Sequence, residues 1–272
     1  MKKDYLGVEQ ESRHVDESSL VEHFWSQKWN SFKNLPDANL VIEREEYKLI
    51  NPSLSCLSPS SKILDGGCGL GEWTIFLGDR GFDVTGIDIS QSTINRLQSL
   101  FPERQFICGD IRHTGFEDTT FDAYFSWGTF EHFENGLGDC IREAHRLLKP
   151  GGFLFISVPY QNWRHILRDS RPLQHWDETY DPVRGYTQPR RFYQWRLTIP
   201  ELERELAIEN FTVLKIQPVG REQGLNRMFS LDLPKLGWFD HPIKFLLAKL
   251  LPTSVVAHMI LAIAQKPTQH LR

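Results

Sequence analysis

The 272-residue chain has little that would tie it to a nucleic acid or a membrane. Its 31 Lys and Arg stand against 35 Asp and Glu, a formal net charge of -4, whereas nucleic-acid binding calls for a basic domain or stripe. Long hydrophobic runs are missing too. The longest apolar stretch, Phe245 to Ala264, is broken by Lys249, Pro252 and His258, so no membrane-spanning helix is expected. The opening MKKDYLGVEQESRHVDE has lysines but no apolar run behind them, which argues against a secretory leader. Cysteine is sparse: Cys56, Cys68, Cys108 and Cys140 form no C-x-x-C pair, which reads as reduced, packed thiols of a cytoplasmic protein rather than a disulfide framework. No metal-ligand cluster, internal repeat or low-complexity tract is read from the chain. What is present is a 40% hydrophobic composition, enough for one substantial core and for small-molecule chemistry within it.

From Glu17 to Phe32 the residues Leu20, Val21, Phe24, Trp25, Trp29 and Phe32 recur at helical spacing, so an amphipathic leading helix is expected. A second helix, about Ala38 to Leu49, completes a helical cap over residues 1–50. Short apolar runs separated by glycines and helical stretches then begin at Lys62. Strands are expected at Lys62 to Gly66, Phe82 to Asp88, Gln105 to Cys108, Phe121 to Trp127 and Gly152 to Pro159, with helices near Leu70 to Asp79, Ser90 to Leu100 and Leu137 to Leu148. This alternation implies an α/β fold, a parallel sheet with helices on both faces. It is interrupted twice, at about residues 160–197 and 218–254, after the fifth and sixth strands. Thr198 and Glu201 supply a capping box for a helix between the interruptions, and Phe211 to Gln217 reads as the sixth strand.

The segment KILDGGCGLGEW places Asp65 at the end of the first strand and Gly67, Gly69 and Gly71 in the following turn, where missing Cβ atoms let a ligand approach the backbone. A dinucleotide fingerprint starting at Gly67 would need glycine where Glu72 stands. Asp65 would also repel a pyrophosphate, yet it suits a cationic, amino-acid-like ligand. A nicotinamide-dependent oxidoreductase is therefore the weaker reading. Asp88 ends the next strand, where an acid can accept both hydroxyls of a ribose.

With these residues the chain resembles the class I S-adenosylmethionine-dependent methyltransferases, from Lys62 to Pro159. Asp65, Gly67, Gly69 and Gly71 match that family's first motif and Asp88 its ribose-binding acid. Gly109-Asp110-Ile111 matches the segment beside the adenine, FDAYFSWGTFEHF at Phe121 to Phe133 the fourth strand with its Glu-His pair, and LLKPGGFLFIS at Leu147 to Ser157 the entry to the fifth. The resemblance implies a Rossmann-like, seven-stranded, mainly parallel sheet whose last strand, ending at Ala264, is antiparallel, within a methyltransferase domain over residues 51–272. It implies S-adenosylmethionine as cofactor, S-adenosylhomocysteine as product, and Cys68, Ile89, Ile111, Trp127 and Trp25 among the cofactor's contacts.

Methyl transfer from a sulfonium needs alignment and exclusion of water above all. An oxygen acceptor or protonated amine must also lose a proton. His132, beside Glu131, is the first candidate base, with His165 and His175 as rivals. Residues 160–196 carry seven arginines among many aromatics, which fits an anionic or aromatic small-molecule acceptor. A non-catalytic, nucleoside-binding partner protein of the same fold remains a competing reading. A nucleic-acid methyltransferase is disfavoured by the acidic balance and by Val158-Pro159-Tyr160 where an N-P-P-Y-type tetrapeptide would be sought.

Overall fold

The short apolar runs read as strands pair into one sheet in the computed structural model, which describes residues 1–7, 16–169, 180–181, 185–186, 190–231 and 249–268. The chain opens with β1 (Lys2–Gly7), α1 (Glu17–Asn30) and α2 (Glu45–Leu54). The central alternation follows: β2 (Lys62–Gly66), α3 (Glu72–Gly78), β3 (Asp83–Asp88), α4 (Gln91–Leu100), β4 (Gln105–Cys108), β5 (Phe121–Trp127), α5 (Gly138–Leu147) and β6 (Leu148–Pro159). Beyond it lie α6 (Trp163–Asp169), a small pair β7 (Tyr180–Asp181) and β8 (Gly185–Tyr186), β9 (Arg190–Arg196), α7 (Ile199–Ile208), β10 (Thr212–Val219), α8 (Arg221–Leu231), a short helix Thr253–Val256 and β11 (Met259–Gln265).

Seven strands form the main sheet in the order β10-β11-β6-β5-β2-β3-β4. β11 runs antiparallel to both β10 and β6, and the β6-β5-β2-β3-β4 pairings are all parallel, so the Rossmann-like arrangement with its antiparallel last strand is present. Strand pleating sends alternate residues to opposite faces. Leu64, Tyr124, Leu154 and Ile156 meet Ile141 and Ala144 of α5 and Leu202 and Leu206 of α7. Ile63, Phe125, Phe155 and Leu261 meet Ile50 of α2 and Phe76 and Leu77 of α3 on the other face. Both faces being covered, the strands read as nearly continuous apolar runs. From β2 the chain winds outward through β3 to β4, then returns to β5 on the other side, and this reversal opens a crevice at the carboxyl ends of β2 and β5.

Several expectations need correction. The leading segment is not wholly helical: β1 pairs antiparallel with β9, from Lys2 opposite Arg196 to Gly7 opposite Arg190. The second helix is split into a 3-10 turn, Ala38–Glu43, and α2, because Arg44 between them is extended at ψ 144°; the boundary placed at residue 50 therefore falls inside α2. The second interruption contains α8, and only residues 232–248 of it lie outside the described residues. The capping box of α7 forms as read, with Glu201 accepting from the Thr198 backbone at 2.8 Å. All four cysteines are free, three of them at least partly buried and Cys56 exposed.

Candidate active site

Between β2 and α3 the backbone turns through left-handed φ values at Gly67 (78°), Gly69 (52°) and Gly71 (76°), a conformation that strains residues bearing a Cβ. The turn is tied to the neighbouring strand: Gly67 donates to the Ile87 carbonyl at 2.8 Å and Gly69 donates to Asp88 Oδ2 at 2.9 Å. A Cβ on Gly69 would stand 2.9 Å from the Trp29 ring, so the glycine lets α1 come down against the loop. Below the loop a cavity of about 400 Å³ opens at the crevice. Asp65, Gly67, Cys68, Gly69, Asp88, Ile89, Asp110, Ile111, Trp127 and Trp25, all expected from the sequence, line it.

Burial governs the charges of its floor. Asp65 is 2% exposed and accepts from Thr74 Oγ1 at 2.7 Å, yet loss of hydration pushes its pKa up to about 7, with Asp88 and Glu72 adding repulsion. Asp88 is also raised by burial, opposed by the N–H groups of Ser90 and Gly69. Asp110 is held in a fork by Arg112, which also donates to Glu17 and Ser18 at 2.7 Å each. Burial works against ionised Asp110, but the Arg112 bonds outweigh it and lower its pKa. The roof comes from α1, where Trp25 and Trp29 stack at 5.0 Å and Lys28 Nζ lies 4.3 Å from the Trp25 ring. Two indole donors on the wall, Trp29 Nε1 and Trp127 Nε1, are buried without a hydrogen-bond partner. A ligand with acceptor atoms for these N–H groups and a cation for the Asp65 carboxylate would satisfy them.

A profile described as a methyltransferase domain matches residues 64–156, the stretch that supplies this floor. Over residues 64–156 the chain is similar to the methyltransferase-domain family. A malonyl-[acyl-carrier protein] O-methyltransferase of Pseudescherichia vulneris is 29% identical over 50% of this chain and 55% of its own length. A 2-methyl-6-phytyl-1,4-hydroquinone methyltransferase of Synechocystis sp. (strain ATCC 27184 / PCC 6803 / Kazusa) is 34% identical over 46% of this chain and 39% of its own. The chain thus spans about half the length or less of these two curated relatives. Among solved structures, an S-adenosylmethionine-dependent methyltransferase of Methanosarcina mazei has a TM-score of 0.57 at 22% identity, covering 80% of this chain and 98% of that one, a likeness of fold.

Not every residue singled out from the sequence reaches the cavity. Gly71 caps α3 and faces Phe106 and Leu97 instead; its role is the turn. Glu131 is turned into the interior, 1% exposed, with Oε2 unpartnered, and burial pushes its pKa up to about 8, so it is not on the cavity wall. His132 is on the wall. Its Nδ1 lies 2.7 Å from the Tyr193 carbonyl, which fixes Nδ1 as the donor and leaves Nε2 as the acceptor. Burial lowers its pKa to about 4, so the ring is neutral near pH 7. His165 lies elsewhere: its Nδ1 bonds the Tyr160 carbonyl at 3.0 Å and its Nε2 meets Arg164 at 2.9 Å, on the wall of a different cavity. His175 lies outside the described residues.

The sequence reading missed Lys28, Arg44 and Thr129 on the wall and Arg112 behind it. Lys28 and Trp29 share the helical stripe with Trp25, which was the available signal. Arg44 pairs with Glu72 across 28 residues, and no local pattern announces that.

Proposed function

We propose that the chain transfers a methyl group from S-adenosylmethionine to an oxygen or nitrogen atom of a small-molecule acceptor. The observation that carries this is the floor built from Asp65, the glycine turn, Asp88 and Asp110, capped by two unpartnered indole N–H groups. When bound, the cofactor supplies an activated methyl group, whose carbon–sulfur bond breaks with the electron pair on sulfur as the bond to the acceptor forms. Asp65 would face the cofactor's ammonium, Asp88 its ribose and Asp110 its adenine side. Tryptophans 25, 29 and 127 exclude water, which strengthens each of these charged contacts.

His132 Nε2 takes the acceptor's proton. The Tyr193 carbonyl orients the ring, and burial keeps it neutral near pH 7, so that Nε2 carries a lone pair. A ring of such low basicity is a modest base, so alignment carries most of the rate. Calorimetric titration with S-adenosylhomocysteine, followed by methyl-transfer assays on carboxylate, phosphate and phenol acceptors, tests the reading. Absence of any S-adenosylhomocysteine binding would sink it.

A further inference from the structure

A second cavity of about 770 Å³ lies on the far side of β9. Among the described residues its wall carries Lys2, Lys3, Arg164, Arg196 and Arg227 against one acid, Asp4. Asp4 is already committed to Arg196, at 2.9 Å. Arg196 is 5% exposed, and its Nη1 has no hydrogen-bond partner. Arg227 and His258 have no carboxylate partner among the described residues. His258 is held neutral, its pKa lowered to about 4 by burial and then by the positive fields of Arg227 and Arg164. Lys3 is paired with Glu134 at 2.9 Å and Arg196 also with Asp169 at 3.2 Å, so the open positive charge on this wall rests on Arg227 and on the unpartnered Nη1 of Arg196, donors that a bound oxyanion would satisfy.

The cavity is close to the chemistry. Tyr193 lines it and also presses its ring against His132, centroids 5.1 Å apart, and His132 lines the donor cavity. Arg227 also acts on both sides, since its field reaches Tyr193 and Lys28 of the donor cavity's roof. We propose that this second cavity holds the anionic end of the methyl acceptor, a small molecule bearing a carboxylate or phosphate group, between Arg164, Arg227 and His258, with its methyl-accepting atom reaching past Tyr193 toward His132. The proposal rests on the methyl-transfer reading above. It narrows the acceptor from any small molecule to an anion.

The test titrates succinate and pyrophosphate, separately and at low ionic strength, into the full chain saturated with S-adenosylhomocysteine. At least one should bind saturably, and Arg227→Gln should weaken it by about ten-fold or more, as loss of a charge-assisted contact does. His258→Gln serves as the second variant, and the His258 ring protons, followed by NMR, should shift on binding. Both variants should keep their affinity for S-adenosylhomocysteine. Succinate binding assigns a carboxylate acceptor and pyrophosphate binding a phosphate ester. If neither anion binds, or if binding is indifferent to both variants, the proposal falls. It also falls if the anion displaces S-adenosylhomocysteine, since the anion would then occupy the donor cavity. If the anion binds but S-adenosylhomocysteine does not, the methyl-transfer reading fails while the anion site stands.

Discussion

Asp65→Asn separates what the buried carboxyl does for binding from what it does to stability. In the folded protein, burial raises the Asp65 pKa from an ordinary 3.8 to about 7. Between those values the folded state holds a proton that the unfolded chain has released, so stability falls as pH rises through the window and levels off above pH 7. The contribution is fully present below pH 3.8. At about 1.4 kcal/mol for each pH unit, the loss across the window reaches about 4 kcal/mol, an upper value that structural relaxation reduces. Asparagine does not titrate and still accepts from Thr74, so the variant should gain on the wild type as pH rises, by a few kcal/mol between pH 4 and pH 8. Urea unfolding of both proteins at several pH values measures the difference, and other titrating groups cancel in it. Cofactor affinity should move the opposite way, since the ammonium loses its counter-charge. A stability difference flat from pH 4 to pH 8 would refute the argument that Asp65 is buried at the cost of its ionisation.

Three further outcomes are expected. Asp88→Ala removes an ionised acceptor and should weaken S-adenosylhomocysteine binding by about 1.5 to 3 kcal/mol, read by calorimetry; unchanged affinity would reassign the ribose. His132→Gln should lower turnover by about 100-fold, the lower end for general-base catalysis, with cofactor affinity retained; normal turnover across the pH range would make His132 a wall residue. Arg112→Ala cuts the links from Asp110 to Glu17 and Ser18. Hydrogen exchange in α1 should then rise and cofactor affinity drop, whereas unaltered exchange would show that packing alone seats the helix.

The sheet was legible because its strands are short, apolar and separated by glycines, and because buried parallel strands need no subtler pattern. The placement of Asp65 and Asp88 on the cavity wall was legible for the same reason: each ends a buried strand whose carboxyl end opens on the crevice. The pairing of β1 with β9 was not. KKDYLG and RRFYQWR are too charged to look like strands, and they pair across about two thirds of the chain, from Lys2 with Arg196 to Gly7 with Arg190. The Glu131-His132 pair could be found as a motif, but only the 3-10 turn Phe130–His132 decides that one side chain faces the cavity and the other the core. Arg112 and Arg44 act across long sequence separations through ion pairs, which periodicity does not register. His165 was drawn in as a candidate base by residue type, while its position after β6 places it beyond β9, among the arginines of the second cavity.

The place of β11 bears on how the protein is made. It is the last strand of the sheet in chain order, yet it lies in the interior, between β6 and β10. Until residues 259–265 leave the ribosome, the growing chain holds β6 and β10 with bare facing edges, each able to pair with another molecule. Completion of the sheet therefore waits for translation of that segment, and truncation before Met259 should yield chains that aggregate rather than a smaller folded protein.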